Sequence, residues 1–318
     1  MGLGASITGV GMALPERIVS NEQVAEGLGV DADWIAKRTG TSERPWANPG
    51  DRLSDLAADA GRLALERAGL EASEVDLVLV ATSTADEITP NAAPLVAGLI
   101  GADRAGALDV GAACTGWLSA LAMACGQIES GRAEHALVVG ADFLSRFLDF
   151  SDRDTAPLFA DGAGAAVVSA TEGPSGRIGP IVLHSDHSGS QLIRLDRGDL
   201  IHMDGQESFR AAVASMTQAT DEALAASDSS ADDIDLFVYH QANSRIIRAV
   251  GQRLGLPMDR VVDYVARFAN ASTATLPIAL SVAEAEGRLR RGAQVLVAAF
   301  GGGLTWGATV LEWGPTRL

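Results

Sequence analysis

Cys114 begins an apolar, helix-like run, Cys114-Thr-Gly-Trp-Leu-Ser-Ala. A thiol at a helix start lies beside backbone N–H groups that have no partner within the helix, at the positive end of the helix dipole. That position lowers the pKa of a thiol and favours the nucleophilic thiolate. We therefore expect Cys114 to be a candidate nucleophile, although a free cysteine is more often a small buried hydrophobic residue.

The second cysteine, Cys125, fits that ordinary role because it lies on the apolar face of the same run. It follows Cys114 by eleven residues, which is about 16 Å along a helix axis and too far for a disulfide. Two free thiols suit a reducing cytoplasm.

Composition excludes several classes of protein. The chain has 318 residues, 47% of them hydrophobic, and a net charge of −17, which makes nucleic acid an unsuitable partner. No apolar run is long enough to span a membrane, and the N-terminus lacks the layout of a signal peptide. No His, Cys or Asp spacing fits a metal site. We expect a cytoplasmic protein without a bound metal.

The predicted elements alternate between strands and helices, and they occur twice. Each half has a helix, a buried strand, a second helix followed by Gly-Arg, another strand, and a last strand that begins in or after a glycine-rich turn. The paired ranges are 53–68 and 209–226, 75–82 and 234–241, 114–130 and 270–286, 136–140 and 294–299, and 161–168 and 301–310. This alternation predicts an α/β fold with largely parallel sheets.

The repeat suggests which residues meet. Cys114 lies 17 residues before Gly131, and Asn270 lies 17 residues before Gly287, so Asn270 is the expected counterpart of Cys114. His240 follows a strand, at the edge where α/β sheets present ligand-binding residues. A pseudo-twofold axis would bring Cys114, His240 and Asn270 together. The Gly, Ser and Pro-rich segment 170–180 is the expected link between the halves.

Four motifs carry a family resemblance that runs over essentially the whole chain. They are His240-Gln-Ala-Asn followed by Arg245-Ile-Ile, Ala112-Ala-Cys-x-Gly, Phe159-x-Asp-Gly-Ala-Gly-Ala, and Asn270-x-Ser before Pro277-Ile-Ala-Leu. In this order they resemble the thiolase superfamily, and within it the β-ketoacyl-acyl carrier protein synthase III family. The resemblance implies a thiolase-like fold of two pseudo-symmetric halves, layered αβαβα, with residues 1–170 carrying the cysteine and residues 171–318 carrying the histidine and asparagine.

The resemblance also implies a mechanism. Cys114 would take an acyl group from a coenzyme A thioester, and malonyl-acyl carrier protein would then lose carbon dioxide and attack the acyl-cysteine. His240 and Asn270 would donate hydrogen bonds to the malonyl thioester oxygen, and the amides of Cys114 and Gly302 would form an oxyanion hole. Coenzyme A would be a substrate, and no further cofactor is expected.

Substrate-binding residues follow from the same resemblance. Trp34 and Arg38 match an adenine-stacking pair, although Trp34 could instead be a buried anchor of an amphipathic helix. Arg153 matches a second coenzyme A arginine. Asn243 would contact pantetheine, as would Gln206, which stands where the family commonly has Asn.

A carrier protein is acidic, so docking to a chain of net charge −17 needs a local basic surface. The densest basic cluster comprises Arg245, Arg248 and Arg253, at helical spacing after His240, together with Arg210. Such arginines ordinarily do no more than form the solvated face of a helix. Our hypothesis is that these arginines bind the carrier protein.

Several positions depart from the family pattern. Thr89 stands where acetyl-selective members have a bulky aromatic residue, which predicts a roomier acyl pocket. Trp117, Ala160 and Ala269 replace a usual Phe, Gly and Gly. Together these departures suggest a specialised member, such as a starter-unit enzyme of a natural-product pathway, and family membership suggests a homodimer.

Two alternative functions stay open beside condensation. The chain could move an acyl group, possibly aromatic, to a carrier protein or small acceptor without condensation, a reaction with less need of Asn270. It could also be a non-catalytic binding subunit, which the retained Cys114 argues against.

Overall fold

The computed structural model describes residues 3–172 and 176–314, and these form thirteen strands and nine α-helices. The strands are β1 (Gly4–Ala13), β2 (Ile18–Ser20), β3 (Glu43–Pro45), β4 (Leu77–Ala81), β5 (Gly106–Val110), β6 (His135–Phe143), β7 (Asp161–Thr171), β8 (Val182–Ser185), β9 (Ile193–Arg194), β10 (His202–Met203), β11 (Leu236–Tyr239), β12 (Gln294–Gly301) and β13 (Thr305–Glu312). The helices are α1 (Asn21–Leu28), α2 (Ala32–Thr39), α3 (Leu53–Ala68), α4 (Ala92–Ile100), α5 (Gly116–Glu129), α6 (Gly205–Ala226), α7 (Ser244–Leu254), α8 (Val265–Phe268) and α9 (Thr275–Ala285).

Two main sheets carry the repeat predicted from the sequence. The first has the order β1-β7-β6-β4-β5, and the second has the order β11-β12-β13-β8. Thus β4, β6, β7 and β1 correspond to β11, β12, β13 and β8. The counterpart of β5 is reduced to one parallel bridge between Phe237 and Val261. The internal duplication is therefore visible in the strand order itself.

Both sheets are mixed, so the expectation of largely parallel sheets was wrong. Strand β4 is parallel to β5 and β6, and β11 is parallel to β12, but β7 runs antiparallel to β6 and β13 antiparallel to β12. The last strand of each half follows its neighbour without a crossover helix, and a parallel pair needs such a crossover.

Five layers stack in the order helix, sheet, helix, sheet, helix. Helices α3 and α4 cover the outer face of the first sheet, and α6 and α7 cover the outer face of the second. Helices α5 and α9 lie between the two sheets and share one core with both. This arrangement confirms the layered αβαβα fold.

Helix α9 is buried almost all round, as its apolar sequence requires. Two glycines of the first sheet allow the helix and its preceding turn to approach closely. A Cβ on Gly140 would lie 2.5 Å from the carbonyl oxygen of Thr273, and a Cβ on Gly164 would lie 2.7 Å from the amide nitrogen of Ile278. The close approach places the turn that precedes α9, Ser272–Ala274, against the end of β6.

The two central helices begin at equivalent positions but differ in length. Each follows a short turn entered through a residue with positive φ, Ala113 (45°) for α5 and Ser272 (49°) for α9. Helix α9 has 11 residues and α5 has 14. Counted from these turns, Cys114 corresponds to Thr273, so the counterpart predicted by counting back from the glycines was wrong.

The strands of the first sheet all lie within residues 4–171 and those of the second within 182–312. The division into residues 1–170 and 171–318 stays a prediction. Residues 173–175 of the expected link lie outside the described residues, as do residues 1–2 and 315–318 at the ends of the two halves. In the described part of the chain, no helix combines the length and the apolar character that a membrane crossing needs.

Ala269, immediately before Asn270, has a backbone conformation that favours glycine, with φ 49° and ψ −151°. We expect Ala269→Gly to raise the free energy of unfolding by about 1 kcal/mol, because glycine adopts this conformation without the steric cost of a Cβ. Chemical denaturation measures the change. Ala271→Gly, at φ −89°, is the matched control and should destabilise; a less stable Ala269→Gly protein would contradict the strain.

Candidate active site

Cys114 lies in the turn Ala113–Thr115, between β5 and α5. The end of β12 packs against this turn so closely that a Cβ on Gly301 would lie 2.8 Å from the amide nitrogen of Cys114. A hydrogen bond of 2.7 Å joins the hydroxyls of Thr115 and Thr305. The turn is therefore fixed by the second half of the chain as well as by its own helix.

Burial dominates the chemistry of the thiol. It raises the pKa of Cys114 to about 11, and the negative charge of Asp142 adds to the rise, while a 3.5 Å hydrogen bond from the Ser272 hydroxyl opposes it. The expectation that the helix start lowers this pKa was wrong, because the loss of water outweighs the favourable N–H groups. The thiol is protonated at neutral pH. Cys125 is a second free thiol and is buried.

His240 directly follows β11 and is buried beside Thr275. Its Nδ1 lies 2.5 Å from the Thr275 hydroxyl, which also lies 3.0 Å from the carbonyl oxygen of Ser272. Burial lowers the pKa of His240 to about 3, so the ring is neutral at neutral pH. When the hydroxyl donates to the Ser272 carbonyl, it accepts a hydrogen bond from the Nδ1–H of His240; when it donates to Nδ1 instead, the ring proton lies on Nε2.

Backbone hydrogen bonds hold Asn270 in place, and a hydrogen bond to its side-chain oxygen orients its amide group. Its N–H donates to Leu158 at 3.1 Å, and its carbonyl accepts from Ala160 at 2.9 Å. The side-chain oxygen accepts the Ser272 N–H at 2.9 Å. Since an amide N–H can only donate, this contact fixes the orientation of the side chain and leaves its NH₂ group available as a donor.

The structure brings Cys114, His240 and Asn270 together along one cavity of about 1200 Å³. Part of its wall is apolar, formed by Leu158, Phe159, Ile193, Met216 and Phe300. A hydrophobic cavity with a few convergent polar groups is the usual form of a small-molecule site.

Gly302 lies in the turn after β12, where a Cβ would meet the carbonyl oxygen of Ile193 at 3.2 Å. The hydroxyl of Thr305 contacts the carbonyls of Gly302 and Ala112, at 3.2 and 3.3 Å. This hydroxyl joins the two turns whose amides were expected to form an oxyanion hole, a role that stays a prediction.

The expected coenzyme A residues lie toward the open end of the cavity. The guanidinium of Arg38 lies 4.7 Å from the ring centre of Trp34. The Nε of Arg153 donates to the carbonyl of Leu28 at 3.0 Å, near the end of α1. Gln206 is exposed in the first turn of α6. The arrangement presents an aromatic face and two cations to a ligand.

Asn243 also lines the cavity, but both ends of its side chain are already engaged. Its oxygen accepts the Arg245 N–H at 2.8 Å and so caps α7, and its nitrogen donates to the Arg38 carbonyl at 3.1 Å. The expected pantetheine contact stays a prediction; the structural role is to tie α7 to α2.

The expected docking arginines are all exposed. Arg245, Arg248 and Arg253 lie on α7, and no carboxylate among the described residues forms an ion pair with them. Arg210 lies on α6 and pairs with Glu207 at 2.6 Å. Of these four arginines, the three without an ion pair therefore all lie on α7.

Thr89 does not reach the cavity of its own chain. It is exposed in the loop between β4 and α4 and is not among the residues that line the cavity. The expected role of Thr89 as a gate of the acyl pocket stays a prediction.

Asp142 and Thr275 at the site were not singled out by sequence reasoning, and Ser272 was named only as part of the Asn270-x-Ser motif. Ser272 and Asp142 surround the thiol, and Thr275 holds His240. Asp142 carried one usable signal, because it is the one acidic residue in the largely apolar strand β6. Thr275 carried none, because a threonine within an apolar helix is ordinary.

Family models match two segments of the chain. Residues 108–187 match 3-oxoacyl-[acyl-carrier-protein] synthase III, and residues 224–313 match the C-terminal part of the same family. The chain is 42% identical over 316 residues to β-ketoacyl-[acyl-carrier-protein] synthase III of Rhizorhabdus wittichii, covering 97% of this chain and 99% of the relative. It is 43% identical over 319 residues to the protein of that name from Paramagnetospirillum magneticum, covering 97% and 98%.

Solved structures also resemble this chain over nearly its whole length. The crystal structure of 3-oxoacyl-[acyl-carrier-protein] synthase III from Aquifex aeolicus is 37% identical with a TM-score of 0.95, covering 98% of this chain and all of the other. A priming β-ketosynthase of a polyketide biosynthetic pathway is 35% identical with a TM-score of 0.93, covering 98% and 96%.

Proposed function

The chain belongs to the β-ketoacyl-acyl carrier protein synthase III family, and from this we propose that it joins an acyl group from coenzyme A to malonyl-acyl carrier protein through an acyl-Cys114 intermediate. The product of this reaction initiates fatty acid or polyketide chains, and the enzyme acts in the cytoplasm. The observation that carries it is the convergence of a thiol, a neutral imidazole and an oriented amide along one cavity.

The first step is acylation. The Cys114 sulfur attacks the thioester carbonyl, a carbon–sulfur bond forms, and coenzyme A leaves as the thiol. Trp34 and Arg38 provide a face and a charge for the nucleotide end of the substrate at the cavity mouth. The apolar wall beyond them suits an acyl chain. Amides of Cys114 and Gly302 stabilise the negative oxygen of the tetrahedral intermediate.

The second step is decarboxylation and carbon–carbon bond formation. Loss of carbon dioxide from the malonyl group leaves an enolate, whose oxygen needs hydrogen-bond donors. Asn270 offers its NH₂ group, since Ser272 occupies the side-chain oxygen. His240 offers Nε2–H when Thr275 donates to Nδ1. Both donors are neutral, so the site stabilises the enolate without neutralising it by proton transfer, and the carbanion can attack the acyl-cysteine.

We expect Asn270→Ala and His240→Ala to separate the two steps. Each variant should still form acyl-Cys114 from acyl-CoA, while formation of the β-ketoacyl product should fall by about 10²–10³-fold, the usual cost of one oxyanion donor. Mass spectrometry of the protein and of the carrier product measures both steps. Cys114→Ala should abolish acylation, and Cys125→Ala, the matched thiol control, should not.

The same assay distinguishes the alternatives. Acyl transfer without carbon dioxide release or a β-ketoacyl product would favour a non-condensing acyltransferase. Absence of any acyl adduct on Cys114 in the wild-type protein would contradict both enzymatic functions and leave a binding role.

Carrier docking is proposed for the exposed face of α7. Arg245 lies at the cavity mouth, with its guanidinium 5.6 Å from the ring centre of Phe209, and Arg253 lies two turns further along the helix. Because α7 contains no acidic residue, this face is locally positive on an acidic protein. An acidic carrier protein docked here would place its prosthetic arm beside the cavity.

We expect the double variant Arg245→Glu and Arg253→Glu to raise KM for malonyl-acyl carrier protein by about tenfold, because charge reversal removes steering at short range. Steady-state kinetics at low salt measures it. The control is Arg290→Glu with Arg291→Glu, an equal charge change at two other exposed arginines. Equal KM values for the two double variants would contradict docking on α7.

A homodimer is proposed through the free edge of the first sheet. Strand β5 is its last strand, and the apolar side chains of Ile88, Leu99, Leu108 and Met123 are exposed around it. An unpaired edge with exposed apolar neighbours favours a second copy. The loop that carries Thr89 lies on the same side, so Thr89 would enter the partner's acyl pocket.

We expect Thr89→Phe to shift the substrate preference toward acetyl-CoA over longer acyl-CoA thioesters, because a phenyl ring would shorten the pocket. Competition between acetyl-CoA and a longer thioester for Cys114, followed by mass spectrometry, gives the ratio. Thr89→Ser, which keeps the volume small, is the control. A ratio that is the same in all three proteins would contradict a gate at this position.

A further inference from the structure

Asn270 is held by a short segment, residues 157–160, that leads into β7. Leu158 of this segment accepts the Asn270 N–H at 3.1 Å, and Ala160 donates its N–H to the Asn270 carbonyl at 2.9 Å. The two contacts make Phe159 and Asn270 the partners of a parallel bridge. The position of the Asn270 amide group therefore depends on the position of this segment.

Two side chains, one on β3 and one directly after it, hold the segment in turn. The indole Nε1–H of Trp46 donates to the Phe159 carbonyl at 3.0 Å, and Nη2 of Arg44 donates to the Pro157 carbonyl at 3.2 Å. Among the described residues, no other donor reaches either carbonyl. A buried carbonyl that loses its donor is costly, so these two side chains fix where the segment lies.

Arg44 is a cation in an unusual place. It is fully buried, and burial alone lowers its pKa to about 10, with no carboxylate among the described residues beside it. Besides Pro157, its guanidinium donates only to uncharged oxygens, of the Asn21 side chain at 2.6 Å and of the Ser20 and Val19 carbonyls at 3.3 and 3.4 Å. A buried cation without a counter-ion costs free energy, so the contribution of Arg44 lies in the hydrogen bonds that it makes.

The segment is also fixed at its end by Asp161, the first residue of β7. The Asp161 carboxylate accepts the Ala47 N–H at 2.7 Å and the Ser145 N–H at 2.8 Å. Ala47 directly follows Trp46, so the chain around β3 contacts this region at three alternate residues. Ser145 gives Asp161 a second support, which the two carbonyls of the segment lack.

The other groups of the site have supports of their own. The Cys114 turn packs against the end of β12, and Nδ1 of His240 contacts the Thr275 hydroxyl. Of the three residues, only Asn270 is hydrogen-bonded to residues 157–160. A shift of the segment therefore moves the amide donor and leaves the nucleophile in place.

We infer that Trp46 and Arg44 are positioning residues for the condensation step: they hold the segment so that the NH₂ group of Asn270 meets the enolate oxygen. Neither side chain lines the cavity, so neither touches a substrate. The inference rests on the proposed function, in which Asn270 serves the second step and not the first. Loss of either donor therefore slows carbon–carbon bond formation and spares acylation.

Trp46→Phe tests this with a small change in volume, because it removes the Nε1–H and keeps an aromatic ring. We expect formation of the β-ketoacyl product to fall about tenfold or more, since a small misplacement of a catalytic group is costly, while acyl-Cys114 forms at nearly the wild-type rate. In the Asn270→Ala background, Trp46→Phe should cause no further fall, because substitutions that act through one group are not additive. Mass spectrometry of the protein and of the carrier product measures both steps.

Two further variants make the result decisive. Trp313→Phe removes another buried indole, directly after β13, and should leave both steps unchanged. Arg44→Met removes the donor to Pro157 and should slow condensation while it spares acylation, as Trp46→Phe does. Trp46→Phe alone decides the question if Arg44→Met does not fold.

Hydrogen exchange tests the same support without acyl-CoA or a carrier protein. In protein made with isotope-labelled asparagine, NMR follows exchange of the Asn270 backbone N–H, whose signal is assigned by its loss in Asn270→Ala. We expect exchange about tenfold faster in Trp46→Phe, because the acceptor Leu158 is then less firmly held. Exchange across α5, followed by mass spectrometry, should not change and so controls for a general loosening of the fold.

Equal losses in both steps, an undiminished effect of Trp46→Phe in the Asn270→Ala background, or unchanged exchange at Asn270 would overturn the inference. An equal rise in exchange across α5 would also overturn it, because it would show general destabilisation. If exchange responds as expected but the wild-type protein forms no β-ketoacyl product, the proposed function fails and the support of Asn270 by Trp46 stands.

Discussion

The low polarity of the surroundings of Cys114 and His240, between the two sheets, determines the charge states at this site. Burial raises the pKa of Cys114 to about 11 and lowers that of His240 to about 3, so the thiol and the imidazole are both uncharged. A neutral imidazole can donate a hydrogen bond to an enolate without protonating it, and a neutral thiol requires a base at the moment of attack. The same environment therefore explains why the Cys114 thiol holds the acyl group while His240 and Asn270 bind the enolate.

The duplicated architecture creates that environment. Helices α5 and α9 lie between the sheets, and the turns that begin them carry Cys114 and Ser272. Glycines at positions 140 and 164 let α9 approach the first sheet closely. Asp142 at the end of β6 then meets the Thr273 N–H of the second half, and the Ser272 hydroxyl of the second half reaches Cys114 of the first. The site therefore forms only when both halves are folded and packed together.

Much of the fold could be predicted from the sequence, because buried strands and amphipathic helices leave clear local patterns. The helix at 53–68 has the predicted bounds, and the motifs around Cys114, His240 and Asn270 indicated which residues would meet. The mixed sheets, the low thiolate content of Cys114 and the roles of Ser272, Asp142 and Thr275 could not be predicted. Each depends on burial or on contacts between residues more than thirty positions apart in the chain, which local patterns do not record.

The most direct test of the account is the charge state of the Cys114 thiol. The ultraviolet absorbance of a thiolate, taken as the difference between the wild-type protein and Cys114→Ala, is followed from about pH 5 to about pH 11. We predict no Cys114 thiolate at neutral pH and its appearance only as the pH approaches the thiol pKa of about 11. A thiolate already present at neutral pH, and lost in His240→Ala, would contradict a neutral site and show a thiolate–imidazolium pair instead.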